Sequence, residues 1–150
     1  MAKRNQHIAS LEKLLTHLKN VKLEYLKAGD HANASEDKRF FHQQALLRNR
    51  FFQEVLNELQ ILGMSYDELV ISKLKFDQLL ISSIETYNAT AFEKCLEGDK
   101  ILLKIYNSLI DHEFSNSKFS NHISTIEIAI EKNQVLSDYS NHNNQIKSNF

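Results

Sequence analysis

Proline is absent from the 150 residues of the chain, and glycine occurs only at Gly29, Gly63 and Gly98. These two residue types most often interrupt helices, so their scarcity favours long helices and argues against a strand-and-turn fold. Because Cys95 is the only cysteine, the sequence excludes an intrachain disulfide and any site built from several cysteines. No run of about 18 apolar residues occurs, so we predict no transmembrane segment.

Neither sign of charge is in excess, since 18 basic and 19 acidic residues give a formal net charge of −1. This balance gives no electrostatic reason to expect nucleic acid or an anionic membrane as a partner. The N-terminal sequence MAKRNQHIASLEKLL has no apolar core of the signal-peptide type, because Glu12 and Lys13 interrupt it. We therefore expect a cytoplasmic protein. The composition, 42% hydrophobic and 25% charged, is typical of a globular domain.

The segment from Arg39 to Leu62 predicts a long amphipathic helix with polar residues in the middle of its apolar stripe. At about 100° per residue, Gln44 and Arg48 fall on the same side as the apolar residues. A metal site, a catalytic site or a structural ion pair would each need polar residues at such inward positions. The apolar members of the stripe are Phe41, Phe52, Val55, Leu59 and Leu62.

Three further helices are predicted from the same periodicity. The first runs from about Gln6 to Ala28 and stops at Gly29, the third from about Ala89 to His112, and the fourth from about Phe119 to Asp138. Each carries a polar residue on or beside its apolar stripe: Glu24 in the first, Asp99 in the third, and Asn133 or Gln134 in the fourth.

The connections between these helices predict the topology. The short polar loop after Gly29 forces the first two helices into an antiparallel hairpin. The second helix ends before Gly63, and the span from Met64 to Asn88 fits a crossover connection that contains a shorter helix. We predict one all-α domain over residues 1–138, a four-helix bundle of two antiparallel hairpins, and a polar, disordered tail over residues 139–150.

Two hairpins joined by a long crossover form the ferritin-like topology. Three segments, EYLKAG at residues 24–29, FHQQALLRNRFFQEVLNELQILG at 41–63 and CLEGDKILLKIY at 95–106, resemble the bacterial ferritin-like domain-of-unknown-function 2383 family. The resemblance covers roughly Ile8 to Tyr139. It implies a ferritin-like bundle but no particular activity, because the family has none established. The fourth helix departs from the family pattern, with Lys132 or Asn133 where the family has a histidine.

Di-iron ferritin-like proteins use Glu-x-x-His pairs on two of their helices, and no such pair occurs in this chain. Among the helical histidines, none has an acidic residue three positions earlier. The residues three positions before His17, His42, His112 and His122 are Leu14, Arg39, Leu109 and Phe119. The sequence therefore lacks the ligand set of the di-iron proteins.

Arg48 is a candidate substitute for that metal. An arginine among the inward polar residues would repel a divalent cation in a low-dielectric interior. We hypothesise that its guanidinium bridges Asp99 and Glu24, with Gln44 completing the hydrogen bonds. In the alternative interpretation, Arg48 runs along the edge of the bundle with its charged end in water.

The remaining candidate residues favour structural roles. We expect the four helical histidines at the surface or at helix ends, and Cys95 as a buried, unreactive thiol. Tyr25 and Tyr106 are expected in the core, with their hydroxyls bonded to polar groups. An aromatic cluster is a candidate for contact with the crossover or for a homodimer interface. Its members are Phe40, Phe41, Phe51 and Phe52.

Three functions are compatible with the sequence. The first is a non-catalytic structural or interaction protein without a cofactor, which binds an unknown protein partner. The second is an oxidoreductase or iron-handling protein with a non-standard site built from Glu24, Asp99 and carboxylates such as Glu127 or Glu131. The third is a bundle that binds a small apolar ligand in its core. We favour the first, because the Glu-x-x-His pairs are missing and fold alone does not define an activity.

Overall fold

The computed structural model describes residues 2–65, 67–68, 90–111 and 117–148, with side chains described from residue 5 to residue 138 within these ranges. The described residues form four α-helices and contain no strand. The helices are α1 (Ala2–His31), α2 (Ser35–Ile61), α3 (Ala91–Asp111) and α4 (Ser117–Ser148). The protein is therefore an all-α four-helix bundle, which confirms the predicted fold class.

Contacts between the helices give their directions. Phe41, near the start of α2, packs on Phe92, near the start of α3, with 4.8 Å between the ring centroids. Arg48 and Asp99 meet further along the same two helices, so α2 and α3 run in the same direction. Each of them runs antiparallel to its partner in the chain, α1 or α4. Most of the predicted crossover, at residues 66 and 69–88, lies outside the described residues.

The end of α1 differs from the sequence prediction. The helix continues through Gly29 and ends at His31, so the expected stop at Gly29 was wrong. A Cβ atom at Gly29 would collide with the imidazole ring of His42 on α2. The last turn of α1 therefore packs closely against α2 at this position, and a larger residue would require the His42 side chain to move.

The end of α2 agrees with the prediction. Gly63 adopts a left-handed φ of 97°, which glycine tolerates without steric cost. The Gly63 N–H donates to the Gln60 carbonyl at 3.0 Å, and the Met64 N–H donates to the Leu59 carbonyl at 3.2 Å. This pair of hydrogen bonds is a Schellman motif, which satisfies carbonyl groups that the helix itself leaves unpaired.

The helix α4 extends further along the chain than predicted. Its backbone remains helical to Ser148, whereas the sequence pattern ends at Asp138. Adding a residue to an existing helix costs much less than nucleating one, so a helix can extend beyond its apolar stripe. The predicted domain boundary at residue 138 stays a prediction.

The core lies between the inward stripes of the four helices. Three members of the aromatic cluster, Phe40, Phe41 and Phe51, are buried inside it. They are therefore part of the core, which contradicts the dimer-interface alternative for these three. Contact with the crossover, the other alternative, lies outside the described residues. Phe52 is half-buried and packs against the same core.

Candidate functional site

The largest fully buried side chain of the described residues is a charged one, Arg48. Its Nε donates to Asp99 Oδ1 at 3.0 Å and its Nη2 donates to Asp99 Oδ2 at 2.9 Å. Neither side chain is accessible to solvent. This parallel pair of charge-assisted hydrogen bonds is the strongest geometry available to an arginine and a carboxylate.

Tyr25 completes the surroundings of this pair from α1. Its hydroxyl donates to Asp99 Oδ2 at 2.5 Å, so three donors engage the two carboxylate oxygens. The Arg48 guanidinium carbon also lies 5.3 Å from the centroid of the Tyr25 ring and 5.8 Å from that of Phe51. Both distances fall within the range of cation–π attraction. Three helices thus contribute to one buried ion pair.

Protonation states in this region follow from burial and from the two charges. Burial is the largest single effect on the pKa of Arg48 and acts to lower it. The charge of Asp99, its hydrogen bond to Arg48, and the smaller effects of Tyr25 and Tyr106 together outweigh burial, so the net shift is upward. Burial and then the charge of Asp99 raise the pKa of Tyr25 well above its usual value. Burial is also the largest cause of the raised pKa of Cys95, which is fully buried as predicted. Tyr25 and Cys95 are therefore neutral at physiological pH.

The other two members of the hypothesised network do not join it. Among the described ion pairs, Arg48 binds Asp99 and does not bind Glu24. Glu24 is buried beside Cys95, where its charge helps to raise the pKa of the thiol. Among the described residues, the Gln44 side-chain oxygen and Arg48 Nη1 each have no hydrogen-bond partner, so Gln44 does not complete the hydrogen bonds of the guanidinium. The bridging roles hypothesised for Glu24 and Gln44 were wrong.

A second buried polar cluster, which was not predicted from the sequence, lies further along the bundle. The Nε2 atom of His122 lies 2.6 Å from Glu54 Oε2, and the Nδ1 atom lies 2.7 Å from the Tyr106 hydroxyl. His122 is only 1% exposed, so the expectation of a surface or helix-end position was wrong for this histidine. The predicted polar partner of Tyr106 is thus an imidazole.

Helical spacing could have located His122. The buried face of α4 includes residues separated by three or four positions: Phe119, His122, Ile126, Ala129 and Asn133. The ring of His122 stacks on Phe51 of α2, with centroids 3.9 Å apart and planes inclined by 22°. Metal-ligand spacing alone does not reveal the position of His122 on the apolar stripe, whereas helical periodicity does.

The other histidines differ from His122. His17 is half-buried and bonds the Lys13 carbonyl of its own helix. His42 is 41% exposed and lies 3.3 Å from Asp30 Oδ1. His112 lies outside the described residues. The histidines of the described residues therefore do not form a shared site.

Asn133, one of two inward candidates on α4, is fully buried, whereas Gln134 is exposed. In the orientation that satisfies both ends of its amide, Asn133 donates to the Phe92 carbonyl at 3.2 Å and accepts from the Leu96 N–H at 3.3 Å. It thus binds the backbone of α3 and not the Arg48–Asp99 pair.

The proposed non-standard metal ligands are dispersed. Glu127 and Glu131 are exposed on α4, whereas Asp99 is fully buried, so these carboxylates do not converge on one position. The described residues contain no group of three or more histidine, cysteine, aspartate or glutamate side chains arranged to hold a metal ion.

No protein-family model, curated protein or solved structure matches the chain. The resemblance to the ferritin-like family of unknown function therefore stays a prediction. In the part of the chain that the structure describes, no helix is both long enough and apolar enough to cross a membrane.

Proposed function

We propose that the protein is a ferritin-like bundle of the domain-of-unknown-function 2383 type, in which an ion pair replaces the metal centre. It then acts as a non-catalytic structural or interaction protein of the cytoplasm, with a protein partner. The observation that supports this proposal is the engagement of both Asp99 oxygens by Arg48 and Tyr25. Three donors occupy most of the roughly four lone-pair sites of this carboxylate, so a cation that binds both oxygens would have to displace Arg48 or Tyr25.

The charge of Arg48 strengthens the proposal. A divalent cation next to Asp99 would meet the guanidinium at short range and without intervening solvent, where like charges repel strongly. Binding would also require the Arg48–Asp99 hydrogen bonds to break, leaving a buried arginine without its counter-ion. Such uncompensated charges cost about 3–5 kcal/mol.

Metal content before and after anaerobic incubation with ferrous iron tests the proposal. We expect no stoichiometric iron in either sample by mass spectrometry, and the same result for Asp99→Asn. The exposed Glu127→Gln serves as a matched carboxylate control. Iron bound at about one or two ions per chain, and lost in Asp99→Asn but not in Glu127→Gln, would overturn the proposal and favour the iron-handling alternative.

A further inference from the structure

His122 connects three helices through its two ring nitrogens. It belongs to α4, its Nε2 atom contacts Glu54 of α2, and its Nδ1 atom contacts Tyr106 of α3. Tyr106 is fully buried and the Glu54 side chain is 32% exposed. The three residues therefore form a hydrogen-bonded chain from the core to the edge of the bundle.

The chemistry of the partners determines which atoms carry the protons. An ionised carboxylate only accepts hydrogen bonds, so His122 Nε2 carries a hydrogen and donates it to Glu54. A neutral imidazole has one donor and one acceptor, so Nδ1 is the acceptor and the Tyr106 hydroxyl donates to it. Every group in the chain is satisfied only while His122 is neutral.

Protonation removes the acceptor. In the imidazolium form both ring nitrogens carry hydrogens, and the Tyr106 hydroxyl must turn its hydrogen away from Nδ1. Among the described hydrogen bonds, the His122 ring is the partner of this hydroxyl, so the turned hydrogen leaves the acceptor that it has in the structure. A buried hydroxyl that loses its acceptor destabilises the packing around it.

We propose that Glu54, Tyr106 and His122 form a pH-sensitive clasp, which holds α4 against α2 and α3 while His122 is neutral and loosens α4 when His122 is protonated. This property is independent of whether the Arg48–Asp99 pair replaces a metal centre.

Charged groups of both signs surround the His122 ring. Among the described residues, the groups that act on the ring come from α2 and α3. Glu54 favours the imidazolium form, Arg50 and Arg48 oppose it, and Tyr106 supplies the hydroxyl. Burial of the ring is the largest effect and lowers the pKa of His122 from its ordinary value of 6.5, against the smaller effect of Glu54. The folded clasp therefore resists protonation more than the unfolded chain does.

The sign of the pH dependence follows from this difference. Well above pH 6.5 both states hold a neutral His122 and the clasp adds no pH dependence. As the pH falls from 6.5 towards the lower pKa of the folded state, the open state binds more protons and is favoured. Each unit by which folding lowers the pKa increases the equilibrium constant for opening about tenfold once the pH lies below both values.

The test combines a titration of the His122 ring by nuclear magnetic resonance with amide hydrogen exchange along α4, corrected for the intrinsic pH dependence of exchange. We expect protection of α4 to fall between about pH 7 and about pH 5, together with protonation of His122. In His122→Gln, which keeps a donor and an acceptor but does not titrate, this loss should disappear. In Tyr106→Phe, which has no hydroxyl hydrogen to lose its acceptor, the loss should be smaller than in the wild type.

His17→Gln is the matched control. Burial also lowers the pKa of His17, but its ring bonds only its own helix among the described hydrogen bonds, so the loss in α4 should persist in this variant. Unchanged protection of wild-type α4 while His122 titrates would overturn the proposal. So would a loss of protection in His122→Gln that is as large as the loss in the wild type. Should His122→Gln fail to fold, the wild-type titration and Tyr106→Phe decide the question.

Discussion

Arg48 illustrates how a single buried charge constrains a core. Forming the pair with Asp99 requires both groups to leave water, and this desolvation can equal the Coulomb attraction that the pair regains. The pair therefore does not have to stabilise the fold relative to apolar residues of the same volume. Each partner is nevertheless essential to the other, because either charge alone would be buried without compensation.

We predict that Arg48→Ala lowers the free energy of unfolding by about 3–5 kcal/mol, because Asp99 keeps only the Tyr25 hydroxyl as a hydrogen-bond donor among its described partners. Urea denaturation measures this change. Arg50→Ala is the control, since Arg50 is 62% exposed and lies 3.8 Å from Glu54 Oε1, a geometry of small energetic effect. An Arg48→Ala midpoint close to that of the wild type would contradict the prediction.

The double variant Arg48→Met/Asp99→Leu separates the two contributions. It removes both charges and keeps apolar volume at both positions, so we expect it to be more stable than Arg48→Ala and than Asp99→Leu. A double variant that is less stable than each single variant would show that the polar geometry itself, and not the unpaired charge, holds the core together.

At the scale of the helices, the three glycines have two roles, helix termination and close contact with a neighbouring helix. Gly63 ends α2 with a positive φ, Gly29 lies in close contact with His42, and Gly98 lies in close contact with Val21. The sequence predicts the first role, because an apolar stripe stops just before Gly63. It predicts the second role incorrectly, because a helical glycine and a terminating one have the same local pattern, and only the neighbouring helix distinguishes them.

We predict that Gly98→Ala destabilises the bundle, because the new Cβ would lie 2.9 Å from Val21 Cγ2. Overpacking of this kind costs about 1–3 kcal/mol, and a valine held at one χ1 rotamer cannot turn away easily. The gain in helix propensity from glycine to alanine is about 1 kcal/mol, so we expect a net loss of stability in thermal or urea unfolding.

Val21→Ala provides the matched background for this experiment. It removes the colliding methyl group, so Gly98→Ala should be neutral or stabilising when added to Val21→Ala. Equal effects of Gly98→Ala in both backgrounds would mean that the contact between α1 and α3 does not require a glycine.

The difference between local sequence pattern and contacts with neighbouring helices also explains how much of the candidate site the sequence predicts. Arg48 and Asp99 are single charges at the centre of apolar stripes, and periodicity alone brings both into the core. The contacts of Glu24 and Gln44 depend on side-chain directions that periodicity does not determine. His122 lies on the apolar stripe of α4, but Glu54 and Tyr106 belong to other helices, so their meeting depends on the register between helices.

At the scale of the whole bundle, ionisable side chains are buried at two levels. One level contains Tyr25, Asp99 and Arg48, and the other contains Tyr106, His122 and the half-buried Glu54. The Arg48–Asp99 pair combines one charge of each sign and is neutral overall. In the second level, Glu54 lies at the edge of the bundle, where water can solvate its charge. The core therefore tolerates many polar groups because its phenols, thiol and imidazole stay uncharged.

We predict that this dependence on neutral groups makes the fold sensitive to alkali. Burial is the largest cause of the raised pKa of Cys95, Tyr25 and Tyr106. In the unfolded chain the thiol releases its proton near pH 9.0 and each phenol near pH 10.0, whereas the folded state keeps these protons. Above pH 9.0 the unfolded state therefore binds fewer protons, and the free energy of unfolding falls as the pH rises.

Urea midpoints between about pH 8 and about pH 10.5 measure this slope, and the ultraviolet absorbance of phenolate reports whether tyrosines ionise only on unfolding. Tyr25→Phe removes one of the three groups, so its stability should decline less steeply with pH than that of the wild type. A flat stability profile, or phenolate absorbance from Tyr25 and Tyr106 in the folded protein, would mean that solvent reaches the interior of the bundle. Such a result would contradict the burial of these groups away from water, on which both the Arg48–Asp99 pair and the His122 clasp depend.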